Sequence, residues 1–368
     1  MAADLRIDTL KADLKVYQCV YCLELAGNED AFAACEAVSA ASAVDVVAGG
    51  VATARGIDPD GVRRLAYTHA ASELIAKTDA GIEAAAAALR AATIDREGSV
   101  AVRARDVRSR TGVSTQAAER QLGGILVDRG FAVDLDDPDH ELRVLFAGRS
   151  EADNVDETNS DGDACCLIGW LAVESRRDYG ERRPTDRPFV QPGSMAPLDA
   201  RALVNIAGAG PGTTVVDPMC GTGGLLLEAN LVGSDVLGID AQWKMARGSR
   251  ENLAELREEA GEEFDGDVGV FRGDATTLPF VDNVADAVVF DAPYGRQSKI
   301  ARHELGELVD GALREARRIA PRAVVVADRS WDDTAAEAGW EIEQRFERRV
   351  HGSLVRHVHV LAADSTVE

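Results

Sequence analysis

The stretch that most limits what this chain can become is Asp217-Pro-Met-Cys-Gly-Thr-Gly-Gly224. It follows the apolar run Thr213–Val216 and precedes Leu225-Leu-Leu-Glu-Ala229, a strong helix former, so the order reads as strand, glycine-rich turn, helix. Such a turn lets a ligand approach backbone N–H groups and the positive end of a helix. Asp240 closes the next apolar run, Asp235–Asp240. It stands about 20 residues on, the spacing at which dinucleotide-binding folds place an acid for ribose hydroxyls. The glycines fall at Gly221, Gly223 and Gly224, not in the G-x-G-x-x-G pattern of a pyrophosphate binder. A nucleoside without phosphate is therefore the expected ligand.

From Leu198 onward the pattern alternates. Helices are expected at Leu198–Ala209, Gly224–Val232, Gln242–Ala260 and Glu304–Ile319. Strands are expected to end at Asp217, Asp240, Arg272 and Asp291, with a fifth at Ala323–Ala327 and a closing hairpin of Trp340–Arg349 and Leu354–Leu361. Such βα alternation gives an α/β fold: a doubly wound, mostly parallel sheet with ligands at the C-terminal strand ends. Asp217, Asp240, Asp274 and Asp291 all fall at those ends. Bland helix caps account for some of them equally well, but Asp291 opens the irregular turn Ala292-Pro-Tyr-Gly295, where a cap is the poorer account.

These motifs resemble a family. Asp217–Gly224 looks like the first motif of class I S-adenosylmethionine methyltransferases acting on exocyclic amines of RNA, and Asp291-Ala-Pro-Tyr294 resembles their (D/N)-P-P-Y signature. Arg187-Pro-Phe-Val-Gln-Pro-Gly-Ser-Met-Ala-Pro197 and His351-Gly-Ser-Leu-Val-Arg356 resemble the opening and closing segments of tRNA guanine-N2 methyltransferases. The resemblance runs in family order from about Arg187 to the end. It implies a Rossmann-like methyltransferase domain over 187–368 that uses S-adenosylmethionine and takes tRNA as partner. The nearest relatives modify N2 of guanosine 10 in archaeal tRNA, to the mono- and dimethyl forms. Guanosine 6, another amino group, or a non-catalytic tRNA-binding descendant stay open at this point.

By that resemblance, Gly221, Gly223 and the backbone around Asp217 contact the methionine part of the cofactor, Cys220 and Thr222 of the same turn touch the cofactor, and the Gln191–Ser194 segment closes over it. Asp240 takes the ribose hydroxyls, and Asp274 with Ala275 lies near the adenine. The amine of guanine is a poor nucleophile because its lone pair is delocalised into the ring. Asp291 and the carbonyl of Ala292 would accept its two N–H bonds and favour the tetrahedral nitrogen, with Asp291 also taking the proton. Pro293 stiffens the turn and Tyr294 stacks on the base. Ala292 departs from the family's usual proline, but the backbone carbonyl survives that change.

The first 150 residues read as α+β. Ser99–Val107 alternates as a half-buried strand, Ser114 caps a helix to Arg129, and Phe131–Leu135 with Glu141–Phe146 reads as a closing strand pair. A hairpin is expected around Gly49-Gly50, a capped helix over Ala31–Ala43, a helix at Ile82–Ala92, and helical character over Val62–Lys77. The order, ending in Val133–Val144, resembles a THUMP RNA-binding domain, with Arg103 and Arg105 as candidate RNA contacts or a solvated strand face. Residues 151–186 are expected to connect the two units; the acidic run Glu151–Asp163 comes first, then a strand at Cys165–Val173. Arginines 176, 177, 182, 183, 187 and 201 form the best local candidate for phosphate contact, or else salt-bridge that acidic run. A separable first unit is expected.

A net charge of −23 argues against nucleic acid in ordinary buffer. In a salt-rich cytoplasm the Debye length falls to about 3 Å, and the overall charge then hardly repels a polyanion. Only five of the 40 basic residues are lysines, a balance that fits such a setting. The Cys19-x-x-Cys22 pair has no second ligand pair, so buried thiols are expected rather than zinc, and no metal site is expected. Cys220 reads as a small turn residue. No apolar run reaches 18 residues and no signal peptide is visible, so a cytoplasmic protein without membrane or protein partner is expected.

Overall fold

The computed structural model describes residues 20–149, 164–260, 266–294, 304–351 and 354–363. Cys19, the acidic run 151–163, Gly295, Gly352 and Ser353 lie outside them.

The second half builds a seven-stranded sheet from β11 (Thr214–Asp217), β12 (Asp235–Asp240), β13 (Val268–Arg272), β14 (Ala287–Asp291), β15 (Arg322–Ala327), β16 (Trp340–His351) and β17 (Leu354–Ala363). The spatial order is β13-β12-β11-β14-β15-β17-β16. The first five are mutually parallel and β17 runs antiparallel between β15 and β16. This is the Rossmann-like sheet expected from the alternation. Successive strand residues point to opposite faces, as the pleat requires. Val215, Val289, Val324 and Val326 pack with α5 (Pro197–Ala207) and α6 (Gly224–Leu231). Val216, Val288, Phe290 and Val325 pack with α8 (Leu305–Ile319). Helix α7 (Trp243–Ala260) follows β12, and a short α9 (Asp332–Glu337) precedes β16.

The first half forms an eight-stranded sheet. Its strands are β1 (Tyr21–Leu25), β3 (Asp45–Ala48), β4 (Val51–Ala54), β6 (Thr68–Asp79), β7 (Ser99–Val107), β8 (Ala132–Val133), β9 (His140–Ala147) and β10 (Cys165–Glu174), in the order β3-β4-β1-β6-β10-β9-β7-β8. Helices α1 (Asp30–Ala37), α2 (Pro59–Arg64), α3 (Ile82–Ala91) and α4 (Thr115–Asp128) and the small pair β2 (Ala41–Ser42) and β5 (Gly56–Ile57) complete it. The expected hairpin is β3-β4, and Ser114 caps α4 by accepting from the Ala117 N–H at 3.3 Å.

Three local expectations are corrected. Of Val62–Lys77 only the first three residues are helical, as the end of α2; the alanine-rich stretch from Thr68 is a twelve-residue strand, because β1 on one side and β10 on the other satisfy its backbone. Pairing overrides the helix preference of Ala70, Ala71 and Ala76. Residues 131–146 do not form a strand pair with each other; β8 and β9 both run parallel to β7, on its two sides. The strand at 165–174 is a member of the first sheet, between β6 and β9.

The two halves share one core. Leu23, Phe32, Ala37, Val62 and Leu65 belong to the same buried cluster as Leu203, Val204, Ile206 and Ala207 of α5 and Val358 of β17.

Candidate active site

In a doubly wound sheet, ligands bind where neighbouring strands send their connections in opposite directions. Here that point lies between β11 and β14, so Asp217 and Asp291, which end these strands, flank it.

The glycine turn is held by its own backbone and by α7. Gly221 and Gly223 both have positive φ, 52° and 82°. A side chain on Gly223 would place Cβ 2.3 Å from Ser249 Oγ, whereas one on Gly221 would meet only Met219 O at 3.9 Å. One glycine is thus demanded by packing, and the other presents an open backbone face, the kind of cradle an amino-acid moiety needs. Asp217 is buried and accepts from the Met219 N–H at 3.0 Å. Burial raises its carboxyl well above the ordinary range, and the neighbouring Asp240 and Asp291 add to this. Asp240 joins two parts of the cradle, accepting from the N–H of Gly221 at 3.1 Å and of Gln242 at 2.8 Å. Its carboxyl is raised by burial. Cys220 is buried, its side chain facing Gly238, and burial pushes its thiol well up, which removes it as a nucleophile. The Thr222 hydroxyl is 3.2 Å from that of Ser194, which itself donates to Gln191 O at 2.9 Å. The 191–194 segment therefore rests on the glycine turn.

Sequence reasoning missed the residue that ties these parts together. Asn252 on α7 accepts from the Phe189 N–H and donates to the carbonyls of Phe189 and Thr222, all at 2.9 Å. Asp274 bonds Thr276 through its backbone N–H and its hydroxyl, at 3.0 and 2.8 Å, closing a tight turn after β13; Ala275 beside it is buried.

Asp291 ends β14 with Ala292 buried behind it, the Ala292 N–H bonded to Val326 O at 2.8 Å. Tyr294 donates its hydroxyl to Asp291 Oδ1. Arg356 of β17 donates through Nε to the Tyr294 oxygen at 3.0 Å, with Nη2 3.9 Å from Asp291 Oδ2. Burial lifts the Asp291 carboxyl to about 6, with Arg356 and the Tyr294 hydroxyl pulling the other way. A carboxylate poised near neutrality at a sheet switch point suits proton acceptance. Arg356 was legible only as the last letter of a closing motif; its contact with Asp291 is a product of β17 inserting beside β15.

The expected arginine patch is divided: Arg176, Arg177 and Arg183 are exposed and Arg187 is half-buried, whereas two members turn inward. Arg182 and Arg201 are buried and converge on the fully buried Glu228 of α6, at 2.7 and 2.8 Å. Arg177 donates to Ala66 O at 2.6 Å. In the first sheet, Arg105 pairs with buried Glu24, and Arg103 bonds Leu135 O at 2.6 Å. Cys22 is buried and free, and among the described residues no group of side chains could hold a metal ion. None of the described helices is long and apolar enough to cross a membrane.

The RMKL-like, methyltransferase domain family matches residues 184–358. A tRNA (guanine(10)-N2)-dimethyltransferase of Methanothermobacter thermautotrophicus is 35% identical over 312 residues, 81% of this chain and 83% of the relative. One from Pyrococcus abyssi is 30% identical over 67% of this chain and 68% of its own length. Among solved structures, TrmN from Thermus thermophilus aligns over 94% of this chain and 99% of its own, with a TM-score of 0.47 at 24% identity.

Proposed function

Because this chain belongs to the tRNA (guanine(10)-N2)-dimethyltransferase family, we propose that it methylates the exocyclic N2 of guanosine 10 in tRNA, once and then again. The observation that carries this reading is the Asp291–Tyr294–Arg356 cluster beside the glycine turn, at the sheet's switch point. S-adenosylmethionine would supply an electrophilic methyl group on sulfur. The residues present fit it: an open backbone face at Gly221, the Asp240 carboxylate for ribose hydroxyls, and the Ser194–Thr222 contact closing the methionine end.

The chain's own work is to orient the amine. Asp291 and the Ala292 carbonyl accept its two N–H bonds, which favours the pyramidal nitrogen whose lone pair can attack. Asp291 takes the proton as the positive charge on nitrogen develops. Tyr294 gives up its bond to Asp291 when the amine arrives and then stacks its ring on the base, which must leave its own stack to reach the turn. Positioning of nitrogen, methyl and sulfur in line supplies much of the rate. In this reading the first half, with β10 as a strand of its sheet, forms a THUMP-like module for tRNA, 187–368 perform the transfer, and the protein works in a salt-rich cytoplasm.

Incubation of tRNA transcripts with labelled S-adenosylmethionine, then nucleoside mass spectrometry, tests the reading. N2-methyl- and N2,N2-dimethylguanosine should form and should vanish when guanosine 10 is replaced by adenosine. Label retained on that substituted transcript would move the site elsewhere, and cofactor binding without transfer would support the non-catalytic alternative.

A further inference from the structure

Asp291 is one end of a chain of charges that leaves the second half of the molecule. Arg356, buried on β17, reaches it at 3.9 Å and reaches Asp199 Oδ2 on α5 at 3.7 Å. Asp199 Oδ1 in turn accepts from Arg348 Nη1 at 2.9 Å and from the Tyr67 hydroxyl at 2.6 Å. Arg348 also donates to the Tyr67 oxygen at 2.7 Å and to Glu29 at 2.5 Å, and its guanidinium lies 4.0 Å from the centre of the Phe32 ring. Glu29 is the N-cap position of α1, yet its side chain makes no cap bond there. The carboxylate turns to Arg348 instead. Tyr67, Asp199, Arg348 and Arg356 line one cavity of about 270 Å³.

Partly burying alternating charges, Arg356 most and Glu29 least, costs desolvation that apolar packing would avoid, so such a chain is weak evidence for stability and calls for another account. We propose that Arg356 is a positioning residue for Asp291 and that the first half of the molecule sets its position, through Glu29 and Tyr67 acting on Arg348 and Asp199. The inference rests on the methyl-transfer reading above. Arg356 does two things. Its Nε holds the Tyr294 hydroxyl, which fills Asp291 Oδ1 until the amine replaces it. Its Nη2 stands close enough to Oδ2 to favour the ionised carboxylate, yet too far to occupy it.

The groups facing Asp291 are Tyr294 from its own loop, Arg356 from β17 and Asp217 from β11, with Asp199 behind Arg356. Arg356 holds the Asp291 carboxyl down against burial. Loosening Arg356 therefore raises that carboxyl, and the acid side of the rate profile moves to higher pH.

Single-turnover transfer measured against pH, with separate cofactor and tRNA affinities, tests this on the full chain. Arg356→Gln should slow transfer at neutral pH by about tenfold or more, with Arg356→Lys recovering part of it. Tyr67→Phe and Glu29→Gln should cost a few-fold at neutral pH, recover as pH rises, and leave both affinities unchanged. These two variants, distant from the reacting atoms, decide the matter should Arg356→Gln fail to fold. An unmoved acid limb with weakened tRNA binding would overturn the proposal, since the chain would then only hold RNA. A wild-type chain that transfers no methyl at any pH would overturn the methyl-transfer reading with it.

Discussion

Asp291 is a carboxylate kept where its charge is costly, and this sets its pH behaviour. Burial raises its folded-state carboxyl to about 6. The ionised form accepts the amine's N–H, so transfer should fall as pH drops through about 6 and level off above it, with the single-turnover profile as the check. Asp291→Asn should lose about 100-fold or more in rate while keeping its affinity for S-adenosylhomocysteine in calorimetry. Asp217 is also raised, by burial and by two neighbouring carboxylates. Its folded-state proton affinity exceeds the unfolded one, so its contribution to stability is full below the unfolded pKa of about 4 and is lost as pH rises through the folded value. Asp217→Asn mimics the protonated form and keeps an acceptor for the Met219 N–H. It should therefore melt higher than wild type at pH 7, with the gain vanishing near pH 4, where wild type is itself protonated. Equal melting temperatures at pH 7 would contradict that assignment. At this scale the sequence was legible wherever chemistry dictates residue type. Gly223 has to be glycine because of its φ and Ser249, and Asp291 has to be acidic to take a proton. Asp199, Asn252 and Arg356 were not legible as site residues, because their roles come from partners between 30 and 157 positions away in the chain.

At the scale of elements, the helices and strands of the second half were readable because local preference and global pairing agree there. In the first half they conflict. The alanines of β6 favour helix, and only pairing with β1 and β10, whose partner residues lie 43 to 104 positions away, decides for strand. The same dependence on distant partners governs how α7 serves the cofactor cradle. Asn252 makes three 2.9 Å bonds, two to the segment around Phe189 and one to the glycine turn, and it is 2% exposed. Asn252→Ala leaves the Thr222 carbonyl, in buried surroundings, and the half-buried N–H and carbonyl of Phe189 without that partner, at about 1–3 kcal/mol for each group that water cannot reach. The variant should melt several degrees lower. It should also bind S-adenosylhomocysteine at least tenfold more weakly, because the turn and the 189–194 segment would no longer be fixed to each other. A lower melting point with unchanged affinity would show that the cradle is held by its own backbone.

For the whole molecule, the question is whether the first half is a detachable module. The sequence suggested so, with an acidic run as the boundary and independent motifs on either side. The packing argues otherwise. Glu36 of α1 is fully buried, and its carboxylate accepts from Asn205 of α5 at 2.7 Å and from the backbone N–H groups of Ala66 and Tyr67 at 2.6 Å. Arg64 donates to Val232 O at 3.2 Å, and Arg348 meets Glu29 and Tyr67. Around these bonds Phe32, Leu65 and Val62 pack in one cluster with α5. Deleting residues 1–150 would leave β10 without β6 and β9, Asn205 without Glu36, and Arg348 without Glu29. It would also expose apolar side chains worth about 1.5–3 kcal/mol each. Those losses exceed the whole stability of a typical domain, about 5–15 kcal/mol. The fragment 151–368 should therefore lack a cooperative melt and fail to bind S-adenosylhomocysteine, measured by circular dichroism and calorimetry at high salt, where the acidic surface is screened. A fragment that melts cooperatively and binds with the affinity of the full chain would restore the modular view. It would also remove the structural ground for routing the position of Arg356 through Glu29 and Tyr67.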